Sequence, residues 1–247
     1  MNRAKKEISV IIPAFQEERN IVAAVENVIG AVGPSAAGYE IIVVNDGSSD
    51  QTGPLAEHLA RKYAGVKVLH NESNRGFGYS YRRGLEAATK EYVTVFPGDN
   101  DMSATTLTRL IQEMEGVDLV VSYLVNTHRR SWFRRILSRI FVWLLNTMFG
   151  LHLKYFNGAF LVKLDLVRGL SLKSNGLTAP AECLVKLIKS GCRYKEIAFE
   201  HTGRLHEKSK ALTWRSLKVT ILFFLHLIKD IYFTQPSVHK RSTPCSI

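Results

Sequence analysis

Cysteine is scarce in this sequence of 247 residues, which contains Cys183, Cys192 and Cys245 and no others. They form no CxxC pair and no even-numbered framework. This argues against a disulfide-stapled secreted domain and a cysteine zinc site, and it is typical of a reducing compartment. Proline is also rare, with 7 residues against 17 glycines, so the chain is neither collagen-like nor a low-complexity linker. No signal peptide is predicted, because the first apolar run ends at Pro13.

The composition is that of an ordinary globular chain of one to two domains. Hydrophobic residues make up 46% and charged residues 22% of the sequence, which excludes wholesale disorder. The net charge of +11 is unevenly placed: residues 1–124 carry 12 Lys and Arg against 16 Asp and Glu, whereas residues 125–247 carry 21 against 6. The second half is therefore expected to meet anionic partners, of which nucleic acid and anionic lipid are the main candidates.

In the first half, apolar runs of strand length alternate with segments of helical spacing. Strands are predicted at Ile8–Ile12, Tyr39–Val44, Val66–Leu69, Tyr92–Phe96 and Asp118–Tyr123, and helices at Glu18–Val32, Leu55–Tyr63, Gly78–Ala88 and Thr105–Glu115. Strands this apolar, separated by helices, imply an α/β fold with a parallel sheet covered on both faces. A ligand is then expected beyond the carboxyl ends of the strands, which points to the loops Phe15–Glu18, Asp46–Asp50 and Asp99–Asp101.

The second half contains two apolar stretches with basic flanks, Ser131–Gly150 and Val219–Ile228. Neither reaches the roughly 18–20 uninterrupted apolar residues that a membrane-spanning helix needs. Arginines at helical spacing on one side and Trp and Phe on the other favour helices that lie in the membrane interface. The alternative is that both are core helices. A further helix is predicted at Ala179–Lys189, and a polar, disordered tail at residues 234–247.

The motif Asp99-Asn100-Asp101 follows an apolar strand and carries two carboxylates two positions apart. Both can face one hard cation such as Mg²⁺ or Mn²⁺, whose shell is completed by phosphate oxygens and water. A lone Asp-x-Asp can equally be a solvated turn. The second acidic loop, Asp46–Asp50, strengthens the metal interpretation, although by itself it could be a turn and a helix cap.

Four blocks of the first half, in this order and spacing, resemble the family 2 glycosyltransferases: Ser9–Asn20, Val43–Thr52, Asn74–Gly84 and Val95–Asp101. The second half is similar, less tightly, to polyprenyl-phosphate glycosyltransferases typified by dolichyl-phosphate mannose synthases. That similarity lies in Arg134–Gly158 and Lys195–Lys210. The resemblance implies a nucleotide-binding α/β sandwich of the glycosyltransferase A type with a mostly parallel central sheet, to which the amphipathic interface helices are added.

The resemblance also implies how a nucleoside-diphosphate sugar, the donor, is bound. Pro13, Phe15 and Glu17 would contact its nucleoside, and Asp46 would contact the base or ribose. Two of these residues have alternative explanations. Glu17 could be a first-turn carboxylate that interacts with the helix dipole, and Phe15 could belong to the core.

In the same family, Asp99 and Asp101 would flank the diphosphate, with Asp101 the principal ligand of Mg²⁺ or Mn²⁺. Arg204 and Lys210 would pair with phosphates of donor or acceptor, which suits the forked guanidinium and the mobile ammonium. These two could instead be solvated surface charges or contacts to lipid headgroups. The family often has Gln as a further metal ligand two positions after the second Asp, and this sequence has Ser103 there.

The resulting hypothesis is a metal-dependent, inverting glycosyltransferase that moves a sugar to a polyprenyl phosphate at the cytoplasmic face of a membrane. The chain would bind peripherally or monotopically to an anionic surface, with a separate membrane subunit as a possible partner and no nucleic acid. Residues 1–125 would form the donor half, and residues 126–233 the acceptor-facing and membrane-facing half of the same catalytic domain.

Two alternatives stay open. In the first, the same fold transfers the sugar to a carbohydrate or protein hydroxyl, which would need a general base. Glu182 is the acidic candidate of the second half for that role, although it could equally be a carboxylate at a helix N-terminus. In the second, the chain is a basic, non-catalytic module that binds membrane or nucleic acid.

Overall fold

The computed structural model describes residues 6–125, 132–200 and 222–233. Within these ranges the strands are β1 (Lys6–Ala14), β2 (Ala36–Asn45), β3 (Val66–His70), β4 (Tyr92–Val95), β5 (Leu119–Leu124), β6 (Phe160–Lys163) and β7 (Tyr194–Phe199). The helices are α1 (Ile21–Val32), α2 (Thr52–Lys62), α3 (Phe77–Ala87), α4 (Ala104–Gln112), α5 (Trp132–Phe149), α6 (Leu164–Arg168) and α7 (Ala179–Lys189). Residues 222–228 are also helical and continue into a π-helical turn at Lys229–Phe233. These twelve residues are called the C-terminal helical segment below.

The seven strands form one sheet in the order β3-β2-β1-β4-β6-β5-β7. The pairs β1–β2, β1–β4, β2–β3 and β5–β7 are parallel, whereas β6 runs antiparallel to both β4 and β5. The predicted α/β fold with a mostly parallel sheet is therefore confirmed. All five predicted strands are present, and β6 and β7 are strands that the sequence reading did not predict. Because both come from the second half, the two halves share one sheet.

Two apolar cores cover the two faces of the sheet, as β1 illustrates. Ile8, Val10 and Ile12 of β1 pack with α1, α2 and α4, whereas Ile11 packs with α3, α5 and α7 on the other face. Side chains on a strand alternate between faces, so one continuous apolar run serves both cores. Complete burial of each such side chain stabilises the fold by about 1.5–3 kcal/mol.

Helix α5 has one face in the core and one face exposed. Leu145 and Phe149 are buried, and Phe141 stacks on Phe223 of the C-terminal helical segment with 6.2 Å between ring centroids. The outward faces of α5 and of that segment carry exposed large apolar side chains: Trp132, Phe133, Ile136, Leu137, Ile140, Trp143, Leu222, Leu225, Tyr232 and Phe233. These ten residues are called the apolar surface below. No helix in the described part of the chain is long and apolar enough to cross a membrane. The predicted polar tail lies outside the described residues.

Candidate active site

The loops that follow β1 and β2 are joined by hydrogen bonds at the carboxyl end of the sheet. The backbone nitrogen of Gln16 donates to Ser48 Oγ (3.0 Å), and that of Glu17 donates to Thr52 Oγ1 (2.7 Å). Pro13 lies in β1 opposite Val44 of β2. Because β1 also pairs with β4, the loops that follow β2, β1 and β4 lie side by side. The three loops predicted to hold the ligand are thus brought together.

The Phe15 side chain is exposed to solvent, whereas the Glu17 side chain is held by a hydrogen bond within the protein. The Phe15 side chain is 43% exposed beside this edge, so the alternative of a core residue is not supported. The Glu17 side chain accepts a hydrogen bond from Asn20 Nδ2 (2.7 Å), and its carbonyl accepts from the backbone nitrogens of Asn20 and Ile21 at the start of α1. Glu17 therefore has a structural role at the beginning of α1, next to the predicted nucleoside site.

Asp46 is buried at the end of β2, and three donors surround its carboxylate. Oδ1 accepts from Asn71 Nδ2 (2.6 Å) and from the backbone nitrogen of Arg75 (3.0 Å), and Oδ2 accepts from the backbone nitrogen of Gly76 (2.8 Å). A carboxylate offers about four acceptor positions. One position therefore remains for a ligand after the protein has fixed the orientation of the group.

Asn71 and its neighbours are site residues that the sequence reading did not single out. Asn71 also donates to Ser80 Oγ (2.9 Å), and its carbonyl oxygen accepts from Arg83 (2.5 Å). Arg75 lies over the ring of Tyr79, with 4.9 Å between the guanidinium carbon and the ring centroid. Ser80 and Arg83 lie in the block Asn74–Gly84 that resembles the family, whereas Asn71 lies outside it and has no local sequence signal.

Asp99 and Asp101 lie on a tight turn after β4. The backbone nitrogen of Asp101 donates to Asp99 Oδ1 (3.1 Å), and Asn100 between them has φ of 59°. The turn is held against the neighbouring loops. Asn100 Oδ1 accepts from Asn27 of α1 (3.0 Å), and a Cβ added at Gly98 would lie 2.7 Å from the carbonyl oxygen of Pro13. The two carboxylates therefore share one turn at the edge that also holds Asp46.

The carboxylate oxygens of Asp99 and Asp101 suit a divalent cation that is also coordinated by phosphate oxygens. In residues 6–125, 132–200 and 222–233 no three His, Cys, Asp or Glu side chains group closely enough to hold a metal ion by themselves. Mg²⁺ typically takes one or two carboxylates and completes its shell with phosphate and water, and the Asp99–Asp101 turn supplies such a pair. Ser103, where the family often has Gln, caps α4 instead, because its Oγ accepts from the backbone nitrogen of Thr106 (3.3 Å).

Glu182 is buried in the first turn of α7, and its carboxylate is engaged by the protein. It accepts from the backbone nitrogens of Lys173 (2.9 Å) and Ser174 (2.8 Å) and from Lys186 Nζ (2.7 Å). Burial raises the pKa of Glu182, but these hydrogen bonds outweigh it, so the pKa lies below the ordinary value. A weakly basic, fully engaged carboxylate is a poor general base, and the contacts favour the structural alternative that the sequence left open.

A cavity of about 400 Å³ opens between residues 173–178 and the C-terminal helical segment. The loop side is polar and is formed by Lys173, Ser174, Asn175 and Thr178. The helical side is mostly apolar and is formed by Leu222, Phe223 and Leu227 together with His226. Thr178 Oγ1 is buried and has no hydrogen-bond partner among the described residues. The cavity thus suits an amphipathic ligand. Arg204 and Lys210, predicted to bind phosphate, lie outside the described residues.

The mostly parallel sheet carries acidic loops at the ends of three adjacent strands, which is where α/β proteins of this kind bind their ligands. Residues 9–164, more than half of the chain, match the model of glycosyl transferase family 2. The chain belongs to this family and is a glycosyltransferase. The family prediction from the sequence blocks is thereby confirmed.

Relatives in sequence agree with this membership, and a solved structure shares the fold. An uncharacterised glycosyltransferase of Mycobacterium tuberculosis is 29% identical over 233 residues, 91% of this chain and 97% of its own length. A dodecaprenyl-phosphate galacturonate synthase of Rhizobium johnstonii is 25% identical over 235 residues, 89% of this chain and 67% of its own length. The crystal structure of glucosyl-3-phosphoglycerate synthase from Mycobacterium tuberculosis, in complex with Mn²⁺, UDP-glucose and phosphoglyceric acid, has a similar fold. Its TM-score is 0.68 at 21% identity, and the match covers 90% of this chain and 80% of that one.

Proposed function

We propose that this protein transfers a sugar from a nucleoside-diphosphate sugar to a polyprenyl phosphate, with inversion at the anomeric carbon. The observation that carries the proposal is the placement of the Asp46 loop and the Asp99–Asp101 turn on either side of the loop that follows β1, at one edge of the sheet. A nucleoside diphosphate has one end to be recognised by hydrogen bonds and another that carries negative charge. The two acidic loops, on either side of the loop that follows β1, suit these two ends.

On the donor side, the remaining acceptor position of Asp46 accepts from an N–H or O–H of the nucleoside. Phe15 is exposed beside it and offers a ring for apolar contact. Asp99 and Asp101 would hold Mg²⁺ or Mn²⁺, which neutralises charge on the departing nucleoside diphosphate. The structure of the mycobacterial relative in fold, which was solved with Mn²⁺ and UDP-glucose, supports this choice of donor and metal.

On the acceptor side, a phosphate is favoured over a hydroxyl. A phosphate oxygen is already anionic and needs no general base, whereas a hydroxyl does. Glu182 is committed to two backbone amides and Lys186, so it does not supply that base. The excess of Lys and Arg in the second half and the relative that is a dodecaprenyl-phosphate galacturonate synthase support the same choice.

The apolar surface supports a reaction at a membrane. Its side chains expose Trp and Phe in a chain whose second half is strongly basic, which is the pattern of helices that lie in the interface of an anionic bilayer. We place the enzyme on the cytoplasmic face, bound peripherally or monotopically, with a separate membrane subunit as a possible partner. The cavity beside the C-terminal helical segment is our candidate for the phosphate end of the acceptor and its first apolar units.

The test is a transfer assay in detergent with UDP- and GDP-sugars, a polyprenyl phosphate and Mg²⁺ or Mn²⁺. We expect a metal-dependent sugar lipid that extracts into organic solvent. Its formation should fall at least about a hundredfold in Asp101→Asn, since stabilisation of the developing charge is worth several kcal/mol. Asp165→Asn, an exposed carboxylate on α6, is the matched control and should be unaffected.

Two results would overturn parts of the proposal. If one sugar nucleotide is bound or slowly hydrolysed but no lipid product forms, the phosphate acceptor is wrong and a hydroxyl acceptor leads. If Asp101→Asn has no effect and the wild type binds no sugar nucleotide, the donor and metal assignments are wrong together.

A further inference from the structure

The loop of residues 171–178, called the bridging loop here, presses backbone to backbone against the start of α3. The backbone nitrogen of Gly78 donates to the carbonyl of Asn175 (2.8 Å). A Cβ added at Gly78 would lie 2.1 Å from the carbonyl oxygen of Ser174, and one added at Gly76 would lie 2.6 Å from that of Asn175. Only glycine permits such an approach. The amides that donate to Asp46 belong to Arg75 and Gly76. The bridging loop therefore contacts directly the segment that orients Asp46.

Arg82 of α3 makes a second connection between the same two parts. Its guanidinium donates to the carbonyl of Ser174 (2.6 Å) and to the side-chain oxygen of Asn175. Two consecutive residues of the bridging loop are thus held at three points by α3 and the residues that begin it. A shift of Ser174 and Asn175 has to move Gly76 and Gly78, and with them the two amides that donate to Asp46.

On its other side, the bridging loop is held by a buried network of alternating charges. Glu182 accepts from the backbone nitrogens of Lys173 and Ser174. Lys186 donates to Glu182 (2.7 Å), to the carbonyl of Ser171 (2.6 Å) and to Asp230 (2.8 Å). Asp230 also accepts from Lys173 Nζ (2.5 Å). Two carboxylates balance two ammonium groups, and the side chains of Lys186, Glu182 and Asp230 are 9%, 4% and 11% exposed.

Asp230 is the member of this network that belongs to the C-terminal helical segment. It lies in the π-helical turn next to Tyr232 and Phe233, which are part of the apolar surface. The ring of Tyr232 also stacks on Phe149 of α5, with 6.0 Å between centroids. The same short turn therefore carries one residue that reaches the bridging loop and two whose side chains are exposed on the outside.

We propose that Asp230 is a positioning residue for the donor site, which it reaches through Lys186, Glu182 and the bridging loop. Removing its charge leaves the buried Lys186 and the half-exposed Lys173 without one counter-charge, so the bridging loop loses one of its anchors. The amides of Arg75 and Gly76 then lose their fixed place beside Asp46. Asp230 belongs to the C-terminal helical segment, which also carries part of the apolar surface. The position of this segment against the rest of the protein is therefore coupled to the positions of the amides at the donor site. The inference rests on the proposed role of Asp46 in donor binding.

The experiment compares wild type with Asp230→Asn in the full chain by hydrogen exchange and by titration with UDP and GDP in the presence of Mn²⁺. We expect faster amide exchange in residues 73–78 and 171–178, with α1 unchanged. We also expect binding of the preferred nucleotide to weaken about 5- to 20-fold, which is the usual size of coupling between sites. Asp165→Asn is the control for a lost surface carboxylate, and Asp230→Glu, which keeps the charge, should restore most of the affinity.

The outcomes separate this inference from the proposed function. Faster exchange confined to residues 171–178 and 222–233, with nucleotide affinity unchanged, overturns it. If wild type binds neither nucleotide but exchange in residues 73–78 still responds, the structural coupling stands and the donor assignment fails. If Asp230→Asn does not fold, Lys173→Met removes the more exposed ion pair alone and should show the same pattern at smaller amplitude. Unchanged exchange and affinity in that variant would also overturn the inference.

Discussion

The Oδ2 atom of Asp46 lies 2.8 Å from the backbone nitrogen of Gly76, so a residue at the end of β2 and one at the start of α3 are joined through one carboxylate. Gly76 has φ of +90°, in the left-handed region that favours glycine. The amide reaches Asp46 because the backbone adopts that conformation. The order of the donor site therefore depends on a glycine that need not touch the substrate.

Gly76→Ala should weaken donor binding about tenfold or more. The added Cβ meets the carbonyl of Asn175 at 2.6 Å, and the positive φ is itself unfavourable for alanine. Gly191→Ala is the matched control, because Gly191 has φ of +87° with nothing within 4 Å of an added Cβ. Titration of both variants with the preferred sugar nucleotide shows whether the loss is specific to the contact between Gly76 and the bridging loop. Equal losses in the two would contradict this account.

Glu182→Gln should reduce stability without removing a general base. Replacing one member of a buried network leaves Lys186 partly uncompensated, so we expect the free energy of unfolding to fall by about 2–4 kcal/mol. The donor KM should rise because the bridging loop loosens, whereas the pH dependence of kcat should keep its shape. Chemical denaturation and a pH–rate profile measure the two effects. A kcat that collapses with donor binding intact would reinstate Glu182 as a base for a hydroxyl acceptor.

Glu40 should make the fold sensitive to acid. Burial raises the pKa of Glu40, but hydrogen bonds from Lys67, Ser9 and Thr89 outweigh it and lower the pKa from 4.5 to about 2. A carboxyl whose pKa is lower in the folded state stabilises the fold above pH 4.5. That contribution is lost as the pH falls from about 4.5 to about 2.

Glu40→Gln should therefore lower the free energy of unfolding by roughly 2–3 kcal/mol at neutral pH. The difference from wild type should disappear near pH 2. Denaturation curves across this range test the prediction, with Glu7→Gln, an exposed carboxylate paired with Lys90, as control. A difference that stays constant with pH would show that lost packing rather than charge is responsible.

Trp132 and Trp143 are 66% and 62% exposed on α5 and should anchor the apolar surface to lipid. Replacing both by alanine should weaken binding to anionic vesicles about tenfold or more, because large apolar surfaces would no longer be buried. Sedimentation with phosphatidylglycerol and with phosphatidylcholine vesicles separates the apolar contribution from the charge contribution. Unchanged sedimentation of the double variant would exclude α5 from the membrane contact.

The first five strands and the three acidic loops could be predicted because each depends on a local pattern. Strand β6 spans four residues, Phe160–Lys163, and β7 contains the consecutive charged residues Lys195 and Glu196 at the edge of the sheet. Neither offers the long apolar run that identified β1 and β2. Asp46 and Glu182 accept hydrogen bonds from backbone amides of other loops. Glu182 is also linked to Asp230, because Lys186 donates to both. Only the Glu182–Lys186 pair, four residues apart on α7, has a spacing that the sequence shows, and the other contacts join residues that are distant in the chain.

Strand β6 runs antiparallel to β4 and β5, so the residues before it lie at the carboxyl end of β4. Phe160 begins β6 at the edge of the sheet where β4 ends, because the two strands are antiparallel. The preceding residues 154–159 therefore lie near the edge that carries the Asp99–Asp101 turn. Gly158 anchors this segment, since an added Cβ would lie 1.9 Å from the carbonyl of Ser122, whereas Asn157 and Lys154 are exposed. These two exposed side chains lie in the segment that leads to the edge where β4 ends, and neither belongs to a strand of the sheet. The exposed residues of this segment can therefore be changed without altering the strands that carry Asp46 and Asp101.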